Sequence, residues 1–425
     1  MNSLTVSFIA TGNPWIDCGI ISIHDFLKTG RIQPEGFLNV QLNENEVTTT
    51  ISSSETAASF LESTFDEVKS HFYVKPTGNE VCIFNKTSGN FKVVSKINLV
   101  PMVSYLFSGG ALKADYGPKT SLTSSMKKKL EKTRTLYRGR KRIDFKTDGK
   151  FVYASEPRYN WPFKAGKEGI CSFCGRKAAC VDIDSNNYPF AVGTNNFQNF
   201  FSNLCFSHRI CDMCKLASLM AVNRVFFNMS ERRQRLFLAL PQAYSLRELY
   251  GFWRDMPSNV ATFPLTHDSN LLSEGYRYRR LNESIIAFCM ELYLQLGQVR
   301  ENDGLIAREN RLTNASSKSW HFYMASKAGN ILSFDGYAYL TNLHHLFQLF
   351  SKLMDLHKLQ QLFQHLTVKQ GKEWRTALRD EFAQRILKNS SLNDVAERII
   401  WEKSKEGAHL AGFSDFVEEY NLWRG

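Results

Sequence analysis

The chain has 425 residues, is 43% hydrophobic and 22% charged, and carries 53 Lys and Arg against 41 Asp and Glu, a formal net charge of +12. That length suggests two to four domains with a sizeable core, and the composition is that of an ordinary soluble protein. No apolar run reaches the roughly 18 to 20 residues of a membrane span, and nine cysteines are an odd number for a disulfide framework.

The charge is unevenly placed. Residues 1–110 carry 7 basic and 10 acidic side chains, residues 111–310 carry 31 and 19, and residues 311–425 carry 15 and 12. A positive excess focused in the middle of a chain favours a polyanionic partner, nucleic acid first and an anionic membrane surface second. The 32 Phe and 16 Tyr are read as core packing, with base stacking as a second use that composition does not show.

In chain order, Thr5–Ala10 reads as a strand rather than a signal peptide, because no basic flank precedes it and a Gly-Asn-Pro turn follows. Asn13 is placed to cap a helix with Pro14 in its first position, and Trp15–Leu27 shows a broad apolar face. The Thr- and Ser-rich residues 43–56 look like a surface loop. Short β-like runs follow at His71–Val74, Val81–Phe84 and Phe91–Val94. From Met126 to Arg142 there are nine basic side chains and one acidic one, Glu131. Later helix candidates are Leu216–Phe227, Glu231–Leu240 and Leu281–Leu296. The last 110 residues or so read as helical, with Leu and Phe recurring at three- and four-residue intervals from Leu343 to Leu366 and again from Leu378 to Ile399.

These signals predict an α+β protein in four parts. They are a mixed N-terminal domain over residues 1–165 containing the basic segment 126–142, a zinc-binding element over 166–220, a helical middle over 221–310, and a C-terminal helical bundle over 311–425.

The strongest chemical signal is Cys171-Ser-Phe-Cys174-Gly followed, after 36 residues, by Cys211-Asp-Met-Cys214. Four soft thiolates in two CxxC pairs suit tetrahedral zinc with no position left for water, a structural rather than a catalytic site. Cys180, Cys205 and His208 leave the ligand count open, since His208 can stand in for one cysteine. Metal-bound thiolates point to a reducing, cytoplasmic compartment. There is no Walker A lysine loop, HExxH, GxSxG elbow or zinc-deaminase signature, and the expectation is a non-enzymatic chain. The dipeptides His24-Asp25 and His267-Asp268 lack the flanking metal-ligand spacing of phosphohydrolases.

Lys127, Lys128, Lys129, Lys132, Arg134, Arg138, Arg140, Lys141 and Arg142 form the densest cationic tract, with smaller groups at Arg232 and Arg235 and at Arg277 and Arg279. On a helix Arg232 and Arg235 share a face. Such residues suit phosphates, which position a nucleic acid without reading its sequence.

The opening Thr11-Gly12-Asn13-Pro14-Trp15-Ile16-Asp17-Cys18-Gly19, the two separated cysteine pairs and the helical end together resemble the large subunit of type I CRISPR surveillance complexes, the Cascade large subunit of the I-B and related I-A groups. The resemblance implies a non-catalytic subunit near the 5′ handle of a guide RNA, among the backbone subunits of the complex. It implies recognition of the motif flanking the target DNA, help in R-loop formation, and docking of a helicase–nuclease or a transposition-associated effector. It carries over to Asn13, Pro14, Asp17 and Gly19, leaving open whether Asn13 touches DNA or only caps its helix. Several such subunits are also translated from an internal start as a separate small subunit, and Met324 offers that start here. A zinc-containing nuclease and a zinc-stabilised DNA-binding regulator are the alternatives. The first lacks a carboxylate cluster, and the second must bind a specific duplex alone.

Overall fold

A computed structural model of the chain describes residues 3–85, 88–107, 119–137, 143–144, 151–153, 166–191, 208–229, 235–256, 278–297, 305–328, 331–352, 356–370, 373–407 and 410–424. It begins with β1 (Ser3–Ile9), α1 (Pro14–Lys28), β2 (Phe37–Leu42) and β3 (Glu46–Ser52), the strands forming an antiparallel sheet of order β1-β3-β2. Half of the expected loop over 43–56, Glu46–Ser52, is therefore the central strand of a sheet. Its Thr and Ser are β-branched or small, and Val47, Thr49 and Ile51 alternate inward along it. Helix α1 is buried on nearly every side, with only Asp25 and Lys28 reaching the surface.

After α2 (Ala57–Val68) and a π turn at Lys69–Tyr73 come β4 (Val74–Asn85), β5 (Asn90–Leu99), α3 (Pro101–Leu106), β6 (Lys119–Ser121), α4 (Ser124–Leu136), β7 (Ile143–Asp144) and β8 (Phe151–Tyr153). Strands β4 and β5 form a long antiparallel hairpin, with β7 parallel to β4 on its other side, and β6 pairs with β8. Met126 and Leu130, one turn apart, bury the inner face of α4.

The cysteine region supplies β9 (Lys167–Ile170), β10 (Lys177–Asp182), β11 (Arg209–Cys211) and α5 (Asp212–Met220). Its strands pair antiparallel in the order β11-β10-β9. A 3₁₀ turn at Ala221–Arg224 leads into β12 (Phe226–Met229), β13 (Arg235–Gln242), α6 (Leu246–Asp255), α7 (Leu281–Gly297), α8 (Leu305–Ser317), β14 (Ser319–Ala328) and β15 (Ile331–Leu340). Strands β12 to β15 make one antiparallel sheet in sequence order. The chain closes with α9 (His344–Lys352), α10 (Leu356–His365), β16 (Val368–Gln370), β17 (Glu373–Arg375), α11 (Ala377–Leu387), α12 (Asn393–Lys405) and α13 (Phe413–Arg424).

Two expected helical regions are strands. Arg235–Gln242 is β13 rather than the end of a helix. Its run Leu236–Leu240 is buried on both faces, where a short apolar run carries no period to separate helix from strand. Arg235 therefore lies on a strand, not on a helical face with Arg232, which lies outside the described residues. Likewise the hairpin β14–β15 occupies the start of the expected terminal bundle; Trp320, Phe322 and Met324 alternate into the core in the period of a strand. The expected division at 310/311 falls within α8, and that at 220/221 falls between α5 and the turn continuing from it. Met324 sits mid-strand, opposite Phe237 and Gly336, so a product beginning there would start inside this sheet. One continuous hydrophobic core runs from Val6 to Tyr420 and includes the cysteine region.

Candidate metal centre

Two short turns bring the four cysteines together. Cys171 follows β9, and the chain reverses over Cys171–Arg176: Gly175 N–H donates to Cys171 O at 3.0 Å and Cys171 N–H to Arg176 O at 2.9 Å. Gly175 has φ +70°, a conformation that costs a residue without Cβ little. Cys211 ends β11 and stands at the N-cap of α5, which places Cys214 in the first helical turn. The turns are clasped by Ser172 N–H donating to Arg209 O at 2.8 Å and Arg209 N–H donating to Ser172 Oγ at 3.0 Å.

All four Sγ atoms lie within 4.8 Å of one another, with Cys174 and Cys211 at 3.8 Å. Cys171, Cys211 and Cys214 are buried and Cys174 half-buried. The Cys171 sulfur also accepts the Cys211 N–H at 3.4 Å. Crowding among the sulfurs pushes Cys171 toward its thiolate and Cys214 toward its thiol. A cation at the centre would replace the remaining thiol protons. Four sulfurs so arranged form a potential metal-binding site.

The neighbouring candidates stand apart. Cys180 is opposite Cys211 in the β10–β11 register, yet its Sγ donates to Gly169 O at 3.6 Å. His208 is exposed, and its carbonyl accepts the Ile183 N–H. Cys205 lies outside the described residues.

The centre is bound to the start of the chain by Asn13 and Trp15 of the opening motif together with Ser7, Arg176, Tyr188 and Phe190, which sequence reading did not single out. The Arg176 guanidinium donates to Ser7 O at 2.6 Å and Ser7 Oγ at 2.9 Å, fixing the first turn to β1. Asn13 caps α1, its Oδ1 accepting from Trp15 N and Ile16 N, while its Nδ2 donates to Tyr188 Oη at 3.0 Å. Trp15 Nε1 donates to Ser218 of α5 at 3.0 Å, and its ring meets Phe190 edge-on. The signal in the sequence was Tyr188-Pro189-Phe190, an aromatic pair inside an otherwise Asn-rich insert.

Asp17 closes the turn before α1, accepting from Thr11 N, Thr11 Oγ1 and Gly12 N at 2.8, 2.8 and 3.0 Å. Burial pushes its carboxyl up to about 6 against the pull of those hydrogen bonds. At Gly19 a Cβ would stand 1.7 Å from the Ala217 carbonyl oxygen of α5. Asn13 and Gly19 thus join α1 to the cysteine region, while Pro14 and Asp17 shape the start of α1.

Of the cationic tract, α4 presents Lys127, Lys128, Lys129 and Lys132 to solvent. Lys129 donates to Gly89 O at 2.6 Å and Arg134 pairs with Glu131 at 2.7 Å; among the described residues Lys127, Lys128 and Lys132 have no acidic partner. Arg235 and Arg279 are both exposed and come together, the guanidinium of the first donating to the carbonyl of the second. Arg138, Arg140, Lys141, Arg142, Arg232 and Arg277 lie outside the described residues, as does His267-Asp268. Asp25 is committed to an ion pair with Arg224, and His24 packs edge-on against Tyr250. Among the described residues, no helix is long and apolar enough to cross a membrane. Comparison with protein-family models and with curated proteins finds no match for this chain.

Proposed function

We propose that this chain is a zinc-stabilised, non-catalytic nucleic-acid-binding protein that serves as the large subunit of a CRISPR-guided Cascade complex. Zinc is favoured by the donor set. Four zinc–sulfur bonds of about 2.3 Å in a tetrahedron place the sulfurs about 3.8 Å apart, and Cys174 and Cys211 stand at 3.8 Å. A metal held by four thiolates keeps no position for water or substrate, so its contribution is to folding.

The observation that carries the nucleic-acid reading is the outer face of α4. Lys127, Lys128 and Lys132 project from a helix anchored by Met126 and Leu130, and among the described residues no carboxylate pairs with them. Cations held in this way suit phosphates and do not read bases. The class of protein rests on the resemblance of the Gly-Asn-Pro opening, the paired cysteines and the helical end. In this reading the protein recognises the motif flanking the target, aids R-loop formation beside guide RNA and backbone subunits, and docks a helicase–nuclease or transposition-associated effector in the cytoplasm. A small subunit begun at Met324 would have to complete its own sheet from a truncated β14.

Native purification under reducing conditions tests the reading. The expected result is copurification with a guide RNA and a repeated backbone subunit. A protein that arrives without RNA, and binds neither RNA nor DNA, overturns it.

A further inference from the structure

The sheet β12-β13-β14-β15 ends in an edge strand whose two faces are unlike. On one side Gly336 meets Leu281 of α7, and on the other lies a row of aromatic side chains in which Tyr337 and Tyr339 are exposed and His321 and Tyr323 half-buried. His321 stands directly opposite Tyr339, and Tyr323 opposite Tyr337. Residues directly opposite in an antiparallel pair share a face. Their ring centroids lie 4.9 and 5.1 Å apart, and Tyr337 and Tyr339 remain 51% and 46% exposed. We propose that this face of β14 and β15 is a stacking platform for unpaired bases of single-stranded nucleic acid, a reading that rests on the nucleic-acid function above.

The rings are held in place before any ligand arrives. His321 Nε2 faces Gln242 Oε1 at 2.6 Å, an acceptor, so it carries the proton; Nδ1 then accepts from Tyr337 Oη at 2.9 Å. Gln242 is oriented in turn by donating its Nε2 to Gly12 O at 2.9 Å, and Tyr339 Oη donates to Ser319 Oγ at 3.2 Å. Tyr323 is supported from the cysteine region by Phe190, 4.6 Å away between centroids. Side chains fixed in this way lose little entropy when a flat ligand settles on them.

Charge and chemistry fit the same occupant. Strands β14 and β15 carry a single carboxylate, Asp335, which accepts from Ser326. Beyond Gln242, the carboxylates of Glu44 and Glu248 are paired with Arg247 and Lys318. The face is thus nearly neutral in a chain of net charge +12, so a polyanion is drawn to the protein and not repelled at the rings. Phenol and imidazole faces accept any base, because every base has a π face.

The test uses the full-length protein and a labelled oligothymidylate about 20 nucleotides long, titrated by fluorescence anisotropy over a range of salt. The double variant Tyr337→Ala/Tyr339→Ala is expected to raise Kd by roughly 5- to 150-fold for each base that loses its stack. Its salt slope should stay unchanged, because no phosphate contact is removed. The double variant Tyr337→Phe/Tyr339→Phe keeps both rings and should retain most of the affinity, which separates stacking from loss of fold. If the wild-type protein binds and the alanine pair binds equally well, or loses affinity only through a flatter salt slope, the platform is overturned while the nucleic-acid function stands. If the wild-type protein binds no oligonucleotide, single- or double-stranded, the platform falls, and if it also arrives without RNA the nucleic-acid function falls with it. Unchanged oligonucleotide affinity with failed assembly of the purified complex would assign this edge to a partner protein's strand instead.

Discussion

Replacing Gly19 with alanine adds one methyl group where α1 crosses α5. Its carbon would lie 1.7 Å from the Ala217 carbonyl oxygen and 2.5 Å from the carbonyl carbon, against the 3.4 Å at which ordinary contact begins. The obstacle is backbone, so no side chain can swing aside, and the helices must part by about 1.5 Å. Overpacking a filled core costs about 1–3 kcal/mol. Parting the helices also stretches the Trp15 Nε1 hydrogen bonds to Ser218, both 3.0 Å long. A buried donor left without a partner costs about 1–3 kcal/mol more. We expect a loss of about 4 kcal/mol, a large share of a typical total of about 5–15 kcal/mol. The control is the same substitution at Gly251, inside α6, where a Cβ meets nothing within 4 Å. There alanine should stabilise by about 0.5–1 kcal/mol, since it has the better helix propensity. Urea unfolding of the full-length variants reads both effects as midpoint shifts at constant slope. If Gly19→Ala unfolded at the wild-type midpoint, the close crossing of α1 and α5 would be wrong.

Elemental analysis of the native protein should find one zinc per chain, and Cys211→Ser should lose it together with stability in the middle of the chain; a ratio near two would bring Cys180, Cys205 or His208 in as ligands. The triple variant Lys127→Ala/Lys128→Ala/Lys132→Ala should weaken duplex binding for all sequences and flatten the salt slope by up to about 0.9 per lost phosphate contact; weakening confined to certain flanking motifs would make α4 a base reader. His24 is held down to about 4 by burial and then by Lys28, and among the described residues its Nδ1 has no hydrogen-bond partner. The unfolded chain takes up this proton below about pH 6.5 and the fold resists it to about pH 4, so the His24 contribution to stability should fall as pH drops through that window, by up to about 3 kcal/mol, against the opposite contribution of Asp17, whose carboxyl is raised to about 6. His24→Phe should remove that part of the pH dependence, and an unchanged acid-unfolding curve would show that His24 does not control it.

The chain's local grammar was legible where one residue type has one physical use. Asn13 and Pro14 announced the start of α1, and CxxC spacing announced the thiol cluster, because caps and thiolates act over a few residues. Reading failed where burial overrode periodicity. The Thr-rich stretch Glu46–Ser52 is polar yet forms a central strand, because Val47, Thr49 and Ile51 face the core while Thr48 and Thr50, β-branched like them, stay half-buried on the other face. Leu236–Leu240 is apolar on both faces and carries no period at all. Gly19 was legible as part of a motif but not as a close approach, since Ala217 is 198 positions away.

That distance in sequence also indicates what a metal bound by the four cysteines would do in this fold. Strands β9, β10 and β11 are four, six and three residues long, and α5 has nine residues. A helix that short is marginal without outside support, as is a sheet of such strands. The four sulfurs join the turn after β9 to the first turn of α5, so a bound metal fixes where α5 begins. The start of α5 sets the height of Ala217 against Gly19 and of Ser218 against Trp15. On the other side of the same region, Phe190 packs on both Trp15 and Tyr323. Loss of metal should therefore be felt in two places that contain no cysteine ligand: the crossing of α1 with α5, and the aromatic face of β14 and β15. Ligand removal and platform mutation are predicted to converge on the same loss of base stacking, with only the first also loosening α1.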